Sequence, residues 1–204
     1  MKKIGFLILM ILLTGCTIVR IDTSSVDTIV DVILSKNNDL YNRVGRGYKY
    51  YIPRGVTYID TNETNDKLYS KGNYYYLYVD TISYYQKIEL EYDKIDEAYY
   101  YRKLSKKDGF KYDGYLKITE KENLYLIEFL YNYAKIETIV PKKDINDAVL
   151  NSAYILSTIQ FNDDVIELMI DKEELENREE KYEVFKNKKD EEDSELQFSE
   201  QIEG

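Results

Sequence analysis

The chain has 204 residues and a formal net charge of −10, with 38 acidic against 28 basic side chains. That length suffices for one domain with a core of its own, and the acidic balance argues against binding nucleic acid through its phosphates, which needs clustered Lys and Arg. There is no histidine and one cysteine, Cys16, which removes Ser-His-Asp and Cys-His catalysis, histidine general bases, the common transition-metal sites and an intramolecular disulfide.

In chain order, Met1-Lys2-Lys3 is a basic start, and residues 4–13 are apolar except for Gly5. The run has the length of a signal-peptide core and about half of the roughly 20 residues that a membrane-spanning helix needs. It ends in Leu13-Thr14-Gly15-Cys16. This tetrapeptide resembles the lipobox of bacterial lipoproteins. The resemblance implies that residues 1–15 are a removed signal peptide, that the Cys16 thiol carries a diacylglyceryl group, and that residues 16–23 are a lipidated tether. Two acyl chains anchor stably where one binds marginally. The expected place of the mature chain is the extracytoplasmic side of the cell membrane. The competing reading is an uncleaved N-terminal helix with an incidental cysteine.

Ser24 and Ser25 can cap a helix, and Asp27 suits its first turn. Val26, Ile29, Val30, Ile33 and Leu34 recur at helical spacing up to Lys36-Asn37-Asn38. Residues 48–52 read as a strand, Pro53-Arg54-Gly55 as a turn and residues 56–60 as the return strand. Residues 61–73 are polar and expected to form an exposed loop. Oxygen side chains alternate over residues 60–66, as in a calcium loop. Asn65 stands where the glycine belongs and Lys71 where the bidentate glutamate belongs, so a polar turn fits better.

Residues 73–80 are the clearest strand, with Tyr75, Leu77 and Val79 on one face and Tyr74, Tyr76 and Tyr78 on the other. A weaker strand is expected at 87–92, and residues 94–104 fit helix or strand. Asp108-Gly109 and Asp113-Gly114 read as turns. Residues 115–119 and 124–131 form a hairpin around Glu120-Lys121-Glu122-Asn123, and residues 134–140 a further strand ended by Pro141. Asp144 is expected to cap a helix in which Ile145, Ala148, Val149, Ser152, Ile155, Leu156 and Ile159 follow helical spacing. Residues 165–170 are apolar enough to pack back on the domain. From Asp171 onward there are 14 acidic and 6 basic residues, the composition of a solvated, disordered tail.

The expected architecture is α+β: a single domain over residues 24–170, mainly antiparallel sheet packed by an N-terminal and a C-terminal helix. Gly47-Tyr48-Lys49-Tyr50-Tyr51-Ile52-Pro53-Arg54-Gly55, followed later by Ile155-Leu156-Ser157-Thr158-Ile159-Gln160-Phe161, resembles the PsbP-like α/β/α arrangement over residues 24–162 in element order. That resemblance implies binding and assembly roles rather than one chemistry.

Tyrosine is the unusual residue, at 23 against 6 Phe and no Trp. A/T-rich codons would supply Tyr, Lys, Ile and Asn without selection for function. Tyr74, Tyr76 and Tyr78 are nonetheless the candidate contact surface. They are either core under a covering helix or an exposed aromatic face for a protein or glycan partner. Gly45-Arg46-Gly47 lacks the third glycine and the preceding strand of a phosphate loop, and no cofactor or metal is implied.

Two functions fit. One is a lipid-anchored extracytoplasmic binding or assembly module of the cell envelope, with no catalytic activity. The other is a carboxylate-dependent envelope enzyme acting on a cell-wall polymer, which needs two carboxylates about 5–10 Å apart. No such pair stands out among the abundant Asp and Glu.

Overall fold

The computed structural model describes residues 23, 25–62, 65–89 and 98–170. Cys16 with its tetrapeptide, part of the strand expected at 87–92 and the tail from residue 171 lie outside the described residues.

Helix α1 (Val26–Leu34) starts where the Ser25 hydroxyl accepts the Thr28 N–H at 3.2 Å, and it buries Ile29, Val30, Ile33 and Leu34. Strands β1 (Arg43–Val44) and β2 (Tyr48–Tyr50) follow, then β3 (Thr57–Asn62), β4 (Asn65–Ser70), β5 (Asn73–Val79) and a short helix α2 (Thr81–Gln86). Strands β6 (Tyr100–Leu104), β7 (Gly114–Lys121), β8 (Leu124–Tyr131) and β9 (Ala134–Pro141) lead to α3 (Ile145–Ser157), β10 (Gln160–Phe161) and α4 (Asp163–Met169).

Seven strands form one antiparallel sheet in the order β3-β4-β5-β9-β8-β7-β6. Lys71-Gly72, Glu122-Asn123 and Asn132-Tyr133 close three of its hairpins in two residues each, all at positive φ. That backbone matches the twist of the flanking strands. Leu68, Tyr75, Leu77, Ile127, Phe129 and Ile136 are almost fully buried on one face of the sheet.

Three elements cover that face. Helix α3 packs on β8 and β9 and lets Asn151 donate to the Tyr75 hydroxyl at 3.4 Å. Helix α1 packs on α3 and is tied to β6 by Arg102, which donates to Asp31 at 2.5 Å and Asp27 at 3.2 Å. A small sheet, β1-β2-β10, closes the β4 side, where the buried Tyr50 hydroxyl donates to Asp66 at 2.5 Å. The result is a single-domain α+β fold, as the sequence pattern predicts.

Several local expectations are corrected. The polar stretch 61–73 is not an exposed loop, because it contains β4, with Leu68 fully buried. Its inward polar residues, Asp66 and Ser70, are buried with hydrogen bonds to Tyr50, Thr61 and the Gly55 carbonyl, so hydropathy hides the alternation. β3 is not the return strand of β2. Both edges of β2 are taken by β1 and β10, and Pro53-Arg54-Gly55 carries the chain from one sheet to the other.

Asp144 precedes α3 but its side chain caps nothing. Its carboxylate accepts Asn73 Nδ2 at 3.3 Å instead, and a 3₁₀ turn, Lys142–Asp144, leads into the helix. Lys87 is the left-handed C-cap of α2, φ +56, rather than the start of a strand. Gly114 begins β7 rather than ending a turn.

Candidate functional site

The second face of the large sheet carries Tyr74, Tyr76 and Tyr78. All three are half-buried. Strand alternation puts them opposite Tyr75, and α1, α3 and the small sheet all sit on the Tyr75 side. The covering role expected of a helix on this face is not filled by α1 or α3.

Strand register sets their neighbours. Lys67, Tyr76, Glu137, Glu128, Lys117 and Tyr101 stand opposite one another in turn across six strands. Beside that row runs a second one of Asn65, Tyr78, Lys135, Leu130, Tyr115 and Lys103. Lys67 Nζ lies 4.5 Å from the Tyr74 ring centroid and 5.5 Å from that of Tyr76, and Lys135 Nζ lies 5.5 Å from that of Tyr78. These are cation–π distances. Tyr69 leans on Tyr74 at 5.2 Å and Tyr101 stacks with Tyr115 at 6.3 Å.

Glu128 and Glu137 are direct cross-strand partners, an arrangement that repels on its own. Lys117 meets Glu128 and Lys135 meets Glu137, each at 2.7 Å. The Lys135 and Glu137 side chains are only 5% and 8% exposed, so losing one partner would strand a buried charge. Leu130 and Ile139 are buried on the same face of the sheet. Burial first, and then the negative charges of Glu128 and Glu137, push the Tyr115 hydroxyl above its ordinary range. It therefore stays protonated, and a donor, at neutral pH.

The arrangement is a surface of amphipathic rings held at the strand spacing, with lysines lying against them. Of the predicted site residues, the structure brings Tyr74, Tyr76 and Tyr78 together; Cys16 lies outside the described residues. Sequence reasoning missed Lys67, Lys117, Lys135, Glu128 and Glu137. The signal was the period-2 pattern of Lys135-Ile136-Glu137-Thr138, which puts charge on one face of a strand whose other face is core. Among the described residues, no cluster of three Cys, Asp or Glu side chains is placed to hold a metal ion, and no helix is long and apolar enough to cross a membrane. No protein-family model matches the chain, and neither curated proteins nor solved structures show significant similarity to it.

Proposed function

We propose that this protein is a lipid-anchored binding or assembly module of the bacterial cell envelope, held by Cys16 on the extracytoplasmic side of the cell membrane. In this reading the Tyr74-Tyr76-Tyr78 face takes a protein or glycan partner. The observation that carries it is the half-buried row of three tyrosines on the sheet face turned away from α1 and α3. Tyrosine offers a large rigid contact area at little entropic cost, and the buried Lys135–Glu137 pair keeps the floor of that face fixed. Leu13-Thr14-Gly15-Cys16 supports the anchor. The PsbP-like reading of residues 24–162 is likewise a proposal, supported by the order of helix, antiparallel strands and closing helix.

Two measurements test this function. Fatty-acid labelling and detergent-phase partition should mark the wild-type chain and be lost in Cys16→Ala; a variant that still partitions removes the anchor. Co-sedimentation of purified protein with isolated cell envelopes should drop in the triple variant Tyr74→Ala, Tyr76→Ala, Tyr78→Ala. Equal sedimentation of a folded triple variant removes the contact face.

A further inference from the structure

A different group of side chains gathers on the Tyr75 side of the large sheet. Gly45-Arg46-Gly47 joins β1 to β2, and between this turn and strands β3 and β4 lies a cavity of about 510 Å³. That volume falls in the range of small-molecule sites. Arg43, Gly45, Arg46, Tyr48, Thr61 and Asp66 line it.

Its polar groups form a directed chain. Asp66 is 2% exposed and accepts from the Tyr50 and Thr61 hydroxyls, each at 2.5 Å. With the Thr61 proton committed to Asp66, the Tyr58 hydroxyl donates to Thr61 Oγ1 at 2.5 Å. Arg43 donates to the same oxygen at 3.3 Å, and its Cζ lies 3.5 Å from the Tyr58 ring centroid. The guanidinium is thus fixed by a hydroxyl and a ring face.

The Arg43 Nε–H is buried and, among the described residues, has no acceptor. A buried donor left so loses its hydration without a hydrogen bond in return. Neither Arg43 nor Arg46 has a carboxylate within ion-pair distance among the described residues.

The turn that presents Arg46 is also fixed. A Cβ on Gly45 would sit 2.4 Å from the Tyr48 ring, and one on Gly47, φ +78, would sit 2.6 Å from Ile166. Gly47 O accepts from Asn162 N at 2.9 Å.

We infer that this cavity binds a small organic acid or phosphate ester, with the carboxylate or phosphate group held between Arg43 and Arg46. An incoming oxyanion meets two guanidinium groups that line the cavity. The one carboxylate among the described lining residues, Asp66, is already engaged by two hydroxyls and serves to aim Thr61 and, through it, Arg43. The inference is independent of the Tyr74-Tyr76-Tyr78 face.

The experiment is NMR of arginine Nε–H groups in the purified full-length protein, titrated separately with inorganic phosphate and with acetate. Chloride holds the ionic strength constant. A saturable shift of the Arg43 resonance is expected with at least one anion, and the more effective of the two names the ligand group. Arg46→Gln should weaken that binding at least about tenfold, the scale of one charge-assisted contact. Arg54→Gln, an exposed arginine outside the cavity lining, should leave it unchanged. The bound anion should raise the thermal midpoint of the wild-type protein, and Arg43→Gln should abolish that rise; should that variant not fold, Arg46→Gln on its exposed side chain carries the test. Absence of a saturable shift with both anions, or equal binding by Arg46→Gln, overturns the inference.

Discussion

Individual side chains here carry charge and hydroxyl groups into places that apolar residues usually fill. Tyr50 is fully buried, and its hydroxyl reaches the buried Asp66. Tyr50→Phe should cost about 1 kcal/mol, the net worth of one hydrogen bond. Asp66→Ala should cost more, about 2–4 kcal/mol, because it leaves the Tyr50 and Thr61 donors without an acceptor. The double variant should cost clearly less than the two singles added, since the Tyr50→Phe ring carries no hydroxyl that needs an acceptor. Denaturant midpoints of the three variants check this, and simple additivity would show that the two groups do not share a bond. On the opposite face, Tyr76 is half-buried. Tyr76→Ala should cost about 1 kcal/mol, typical of a single substitution, and leave the far-ultraviolet circular dichroism unchanged. A chain unfolded by Tyr76→Ala would make that ring core rather than contact surface.

At the scale of elements, glycine positions report which strands approach closely. Gly114 opens β7 across from Tyr131, and a Cβ there would lie 2.1 Å from the Leu130 carbonyl oxygen. A backbone atom cannot swing aside, so Gly114→Ala should push β7 from β8 and cost about 1–3 kcal/mol. At Gly109 an added Cβ meets nothing within 4 Å, but φ is +90. Gly109→Ala should therefore cost about 1–2 kcal/mol through backbone strain alone. Thermal unfolding combined with amide exchange separates the two: faster exchange along β7 and β8 is expected only for Gly114→Ala.

Strongly patterned elements were legible in the sequence. The spacing of Ile29, Val30, Ile33 and Leu34 marked α1, and the alternation of Tyr75, Leu77 and Val79 marked β5. β4 was not legible, because Leu68 is its single large inward apolar residue and Asp66 and Ser70 are buried through hydrogen bonds. Helix α2 was missed because its start depends on Asp80, whose carboxylate accepts the Ser83 N–H at 2.8 Å, and its end on a left-handed lysine. The pairing of β2 with β10, which lies near the far end of the domain, left no local trace. The Tyr74-Tyr76-Tyr78 face was visible as a strand pattern, while its lysines came from three other strands and needed the register.

Across the whole molecule, tyrosine takes a large share of the interior. Tyr48, Tyr50, Tyr75 and Tyr131 are all buried, and Tyr84 stacks on Phe161 at 3.8 Å where α2 meets β10. Burial is the leading cause that pushes the hydroxyls of Tyr48, Tyr50, Tyr75, Tyr115 and Tyr131 above the ordinary tyrosine value of about 10. In the unfolded chain the same groups titrate near that value. Above about pH 10 the unfolded chain thus binds fewer protons than the folded one, and stability falls as pH rises. The stabilisation from these groups is complete below about pH 10 and is lost as pH climbs through the raised folded-state values. With no histidine in the chain, histidine titration contributes nothing across neutral pH. The expected outcome is a denaturation midpoint insensitive to tyrosine ionisation up to about pH 10, then a steep alkaline unfolding in which tyrosinate absorbance and loss of circular dichroism rise together. If every tyrosine instead ionised smoothly near pH 10 with the circular dichroism unchanged, the hydroxyls would be open to solvent and the tyrosine-built interior described above would be wrong.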